Sequence, residues 1–88
     1  MKLIKTKASE YNYGIHIDHY SHAMWAVVDS NGNQVCEVLN SNIHGWQIIV
    51  TTDEGKKQTV ADSETGMTWK HTTRKQVSDL ALAWATNL

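Results

Sequence analysis

The stretch AMWAVVDSNGNQVCEVL, residues 23–39, decides the fold. Two apolar runs, Ala23 to Asp29 and Val35 to Leu39, flank Ser30-Asn31-Gly32-Asn33. Asn-Gly between apolar runs marks a β-hairpin, because both residues accept positive φ. Taking Asn31-Gly32 as a two-residue loop pairs Ser30 with Asn33, Val28 with Val35, Val27 with Cys36, Ala26 with Glu37 and Trp25 with Val38. One face then carries Trp25, Val27, Cys36 and Val38, all apolar, and is the expected core face. The other carries Ala26, Val28, Val35 and Glu37.

Further strands extend this hairpin on both sides. Upstream, Tyr11, Tyr13, Ile15 and Ile17 alternate with Asn12, Gly14, His16 and Asp18, the period of a half-buried strand, whereas Leu3 to Lys7 alternates only weakly. Downstream, Trp46 to Thr52 is rich in β-branched residues and closes on Asp53-Glu54-Gly55-Lys56, a second hairpin. Its return strand, Gln58 to Asp62, is polar and suits a sheet edge. From Thr73 the period changes. Val77, Leu80, Ala81, Trp84 and Leu88 form one helical stripe, and Thr73 with Gln76 makes a capping box, so a helix is expected over about residues 74–86. The fold class is α+β: an antiparallel β-sheet of four to five strands with one C-terminal α-helix packed on one face.

At 88 residues the chain is one domain, with 41% hydrophobic residues to build a core and 19% charged residues, too few for disorder. The only cysteine, Cys36, forms no internal disulfide and, on the core face, reads as a small buried hydrophobe. The N-terminus, with lysines at 2, 5 and 7, has no apolar run of signal-peptide or membrane-span length, so a soluble, cytoplasmic protein without membrane contact is expected.

Charge is segregated although the net charge is only −1. From Ala8 to Gly55 there is no lysine or arginine, while Glu10, Asp18, Asp29, Glu37, Asp53 and Glu54 all fall in that block. Such a block gives one side of the molecule a negative potential that steers it toward a basic partner. The bases concentrate as Lys56 and Lys57 at the second hairpin tip and Lys70, Arg74 and Lys75 around the helix start, with Trp69 beside them. That set is the alternative site, a phosphate-binding patch with a stacking residue for DNA or RNA. Three positive charges at a helix start oppose its dipole, which weighs against it.

His16, Asp18, His19 and His22 lie within seven residues, with His44 later. The spacing matches no metal framework and a common centre needs a particular turn, so no metal and no cofactor is assigned; with Tyr20 the imidazoles instead suit recognition. Trp25, Trp46 and Trp84 have core positions, whereas Trp69 sits in a polar loop, as either an edge cover or a binding anchor. An open patch of Val28, Val35 and Ala26 leaves a homodimer as one possible assembly. No nucleophile with its base and no paired carboxylates are recognisable, so no catalytic residue is assigned.

In size, lack of cysteine bridges, sheet-plus-helix build and the acidic block from Glu10 to Glu54, the chain resembles the small proteins that bacteriophages make to inhibit host machinery, anti-CRISPR proteins among them. The resemblance is one of class, without a shared motif. It implies a non-catalytic inhibitor, phage or mobile-element encoded, in the cytoplasm of a bacterial host cell. Its partner would be a host protein or protein–nucleic acid complex with a basic site. The expected contacts are Asp18, His19, Tyr20, His22, Asp29, Glu37, Asp53 and Glu54.

Overall fold

A computed structural model describes residues 1–14, 19–41, 43–68 and 73–88. Among these described residues, seven strands and two helices follow in the order β1 (Lys2–Lys7), β2 (Glu10–Asn12), β3 (His19–Ser21), β4 (Met24–Val28), β5 (Gln34–Ser41), β6 (Gly45–Thr51), β7 (Lys57–Thr59), α1 (Asp62–Thr65) and α2 (Arg74–Thr86). Five strands form an antiparallel sheet in the order β1-β4-β5-β6-β7, and β2 and β3 form a two-stranded sheet of their own. The α+β class, the five-stranded sheet and the C-terminal helix laid on it agree with the sequence reading.

The β4–β5 hairpin keeps the expected pairs Trp25↔Val38, Ala26↔Glu37 and Val27↔Cys36 but then shifts, with Val28 opposite Gln34. The loop is not the two-residue Asn31-Gly32 turn. Asp29 N–H donates to the Asn33 carbonyl at 2.9 Å and Gly32 N–H to the Asp29 carbonyl at 3.0 Å, closing a loop over Ser30, Asn31 and Gly32. Gly32 holds φ +81°, where L side chains are strained. The cause is Asp29, whose Oδ1 accepts from both Asn31 N–H and Asn33 N–H at 2.9 Å and draws the turn one residue wider. The extra residue is absorbed as a bulge at Val35, which packs against the core instead of standing on the far face.

The β6–β7 turn is built the same way. Thr52 N–H donates to the Lys56 carbonyl, Gly55 N–H to the Thr52 carbonyl, and Thr52 Oγ1 accepts from Lys56 N–H at 3.2 Å, with Gly55 at φ +83°. Between β5 and β6, Ser41 Oγ accepts from Ile43 and His44 N–H, both at 3.3 Å. In all three hairpins the residue before the loop lends a side-chain oxygen to the loop amides.

The core lies between the sheet and α2, where Val27, Cys36, Val38, Ile48 and Val60 meet Val77, Ala81 and Ala85. The capping box forms as expected: Thr73 Oγ1 accepts from Gln76 N–H and Gln76 Oε1 from Thr73 N–H, each at 3.3 Å. The buried stripe is rotated from the expected one, however. Val77, Ser78, Ala81 and Ala85 are buried, Leu80 and Trp84 flank them, and Leu88 is exposed beyond the helix end. Small residues in the middle let the helix sit close on the sheet while the larger ones fill its sides. The expected return strand, Gln58 to Asp62, is shorter: β7 ends at Thr59, and Asp62 opens α1, a single turn stopped by Gly66.

Arg74 lies with its guanidinium carbon 4.5 Å from the Trp25 ring centroid, and Lys5 with its ammonium 5.1 Å from it. These cation–π contacts fasten both the helix start and β1 to β4. Lys75 turns to Asp79 one helical turn on, at 3.0 Å, which relieves its opposition to the helix dipole.

On the sheet face away from α2, Ile4, Ala26, Glu37 and Ile49 line up across four strands, and the last three are buried. Val28 is buried too. The apolar patch expected from Val28, Val35 and Ala26 is therefore not open.

Candidate functional site: an aromatic arm

Of the strand expected over residues 11–17, Tyr11 and Asn12 lie in β2, which ends there, and residues 15–17 lie outside the described residues. The β1–β4 ladder reaches Lys7↔Met24 and resumes in the same register as Glu10↔Ser21, Tyr11↔Tyr20 and Asn12↔His19. One long hairpin thus contributes two sheet strands and then runs on as β2 and β3. Counting back from Trp25↔Val38 puts Ser41, the end of β5, level with His22, so the β5–β6 turn closes where β2 and β3 begin. Among the described residues, no third strand pairs beyond that level, and β2 and β3 have backbone contacts only with each other. They form an arm, on a molecule 45 Å long and 29 by 25 Å across.

Alternation then sorts the arm's side chains. Tyr11, Tyr13, Tyr20 and His22 fall on one face and their rings touch in sequence. Tyr13 meets Tyr11 edge-on at 4.9 Å between centroids, Tyr11 faces Tyr20 at 6.4 Å, and Tyr20 meets His22 at 4.8 Å. His22 in turn meets Trp46, the first tryptophan of β6, at 5.3 Å. The stripe runs from the half-buried edge of the core to open solvent, where Tyr13 is 85% exposed. At the same end of the molecule Ile43, on the β5–β6 turn, is also 85% exposed. Isolated exposed apolar residues are ordinary, but four large ones gathered at one end mark an association surface.

The expected contact residues divide between two ends. Tyr20 and His22 belong to the ring stripe, and His19 is in β3. Asp53 and Glu54 are exposed in the β6–β7 turn, at the opposite end of the sheet, beside the turn that holds Asp29. Asp29 spends its carboxylate on its own loop. Glu37 is buried in mid-sheet: its carboxylate is 3.2 Å from Lys57 Nζ and its side chain only 10% exposed, so it does not belong to the expected acidic surface. Asp18 lies outside the described residues, as do His16, Ile15 and Ile17.

The expected basic patch is likewise dispersed. Lys57 reaches Glu37 on the face away from α2, Lys56 is exposed in the β6–β7 turn, Arg74 rests on Trp25 on the helix face, and Lys75 pairs with Asp79. Trp69 and Lys70 lie outside the described residues.

Cys36 is buried against the helix, and burial, reinforced by the neighbouring Glu37 carboxylate, pushes its thiol up from 9.0 to about 11. It stays a protonated thiol at neutral pH, unsuited to nucleophilic work.

Sequence reasoning did not assign Tyr11, Tyr13 or Ile43 to a site. The signal was present in Tyr11-x-Tyr13 and Tyr20-x-His22, two i,i+2 pairs placed to face each other across a hairpin. Comparison with protein-family models, curated proteins and solved structures finds no match for this chain. Among the described residues, no helix is long and apolar enough to cross a membrane.

Proposed function

We propose that this chain is a non-catalytic protein-binding protein that acts by seating its aromatic arm on a partner protein. In that reading it belongs with the host-inhibitory proteins its sequence resembles and works in the cytoplasm of a bacterial host cell. The observation that carries it is the ring stripe Tyr13–Tyr11–Tyr20–His22–Trp46, which runs from the edge of the core out to Tyr13, 85% exposed. Tyrosine brings large contact area with only two rotatable side-chain angles, and rings that already touch one another lose little further freedom on docking. The arm is also poor in cations, which suits a protein surface better than a phosphate backbone.

Tagged protein drawn from nuclease-treated bacterial lysate tests this. A stoichiometric protein partner should be retained by wild type and lost by the double variant Tyr13→Ala/Ile43→Ala. Retention by that variant together with loss in Asp53→Ala/Glu54→Ala would move the contact to the acidic end.

That acidic end is the second reading, favoured by Asp53 and Glu54, which are exposed and, among the described residues, not ion-paired. It keeps the basic site of a host nucleic-acid-binding enzyme as the target. Its signature is an association rate that falls steeply with added salt and drops when the two acids are removed.

A further inference from the structure

Where the arm leaves the sheet, Lys7, Ser21, His22, Met24, Leu39 and Asn40 line a cleft of about 210 Å³. It exists because the long hairpin is interrupted there: residues 8–9 and 22–23 belong to neither strand pair, and β5 ends alongside the gap. Met24 and Leu39, both half-buried, give the cleft an apolar floor. Around them stand an ammonium, a hydroxyl and a carboxamide. Among the described residues, the side chains of Lys7, Ser21 and Asn40 are engaged in no hydrogen bond or ion pair, and no carboxylate lines the cleft. Three donor groups and one positive charge thus line this cleft among the described residues.

We propose that this cleft binds the carboxylate of a glutamate or aspartate side chain presented by the protein partner, an inference that rests on the arm being the docking element. A carboxylate accepts at both oxygens, so Lys7, Ser21 and Asn40 can be satisfied together, while the methylene stem lies on Met24 and Leu39. His22 joins the two features, being a wall of the cleft and the ring between Tyr20 and Trp46. A partner chain lying along the tyrosines therefore passes the cleft with its next side chains. One ammonium matches one negative charge. A phosphate dianion would want a second fixed cation, and a nucleic acid strand would meet no further lysine or arginine anywhere from Ala8 to Gly55.

The test uses the isotopically labelled full chain and NMR titration with two probes, acetyl-Ala-Leu-Glu-Leu-Ala-amide and its glutamine counterpart. Saturable shifts of the Ser21, His22, Met24, Leu39 and Asn40 amides are expected with the glutamate peptide, and binding about tenfold weaker with the glutamine peptide, the usual value of one charge-assisted contact. Lys7→Gln should remove that preference and Lys7→Arg keep it. Lys7 is exposed, so both variants should retain the wild-type spectrum elsewhere. Equal binding of the two peptides, or shifts confined to Tyr11, Tyr13 and Tyr20, overturns the cleft and leaves the arm reading standing. Cleft shifts whose affinity is unchanged in Tyr13→Ala uphold the carboxylate site and remove the arm from it. Inorganic phosphate saturating the same amides more tightly than the glutamate peptide overturns the proposal.

Discussion

Strands β4 and β3 belong to the same hairpin, separated in register only by the irregularity between Lys5 and Lys7, yet their side chains meet opposite fates. In β4, Val27 lies between β1 and β5 beneath α2 and is fully buried; in β3, Tyr20 pairs with one strand among the described residues and is 44% exposed. Local backbone geometry is the same in both. What differs is how many further elements arrive, and at the level of His22 the supply ends because the β5–β6 turn closes there. The comparison shows that alternation fixes which side chains share a face, while neighbouring elements alone decide whether that face becomes core or contact surface.

The sharpest way to break this contrast is to truncate one residue on each side of it. Ile48→Ala, in the buried cluster, should lower unfolding free energy by about 3 kcal/mol in denaturant titration, because the transfer and cavity costs add. An equally small loss at Ile48 would mean that the helix does not seal the sheet.

The pH response sharpens it further. Cys36 has its folded-state value raised, so its contribution to stability is complete below the unfolded value of 9.0 and is lost as pH climbs through about 11. Relative to Cys36→Ala, wild type should lose on the order of 2 kcal/mol over that window. Its thiol should also resist alkylation at pH 8 until the protein unfolds.

At the far end of the scale, Tyr13→Ala on the arm should change unfolding free energy by less than about 0.5 kcal/mol in the same titration, as surface substitutions do. A larger loss would show that the arm supports the sheet and is not simply displayed by it.

The same contrast explains what could be read from the sequence. Helix α2 was legible because Thr73 and Gln76 are only three positions apart in the chain and their reciprocal bonds are local. The first hairpin was legible for its Asn31-Gly32 signal, and its loop length was misjudged because Asp29 competes for the same amides. Tyr11 and Tyr13 were not recognisable as a contact surface, since their alternation is identical whether or not a third strand covers it. Glu37 read as a surface acid because Lys57, its partner, is remote in sequence and reaches it from β7 past β6. Tyr20 and His22 were expected at a contact for their chemistry, and the structure adds the rings on either side of them.

The register that the arm shares with Lys7↔Met24 also bears on how the chain folds. Strands β4 to β7 are joined by short loops that close at little entropic cost, so they can zip together in order along the chain. Strand β1 is the exception, because its partner β4 begins only after the whole arm has been traversed. Direct closure of that longer segment costs about 1.5 kcal/mol more by chain-length scaling. If β2 and β3 pair first, each successive step toward Lys7↔Met24 closes only a small further loop, and the edge strand arrives with only the shift between Lys5 and Lys7 left to make. The segment that contributes least to the finished core would then be the one that guides its last strand home.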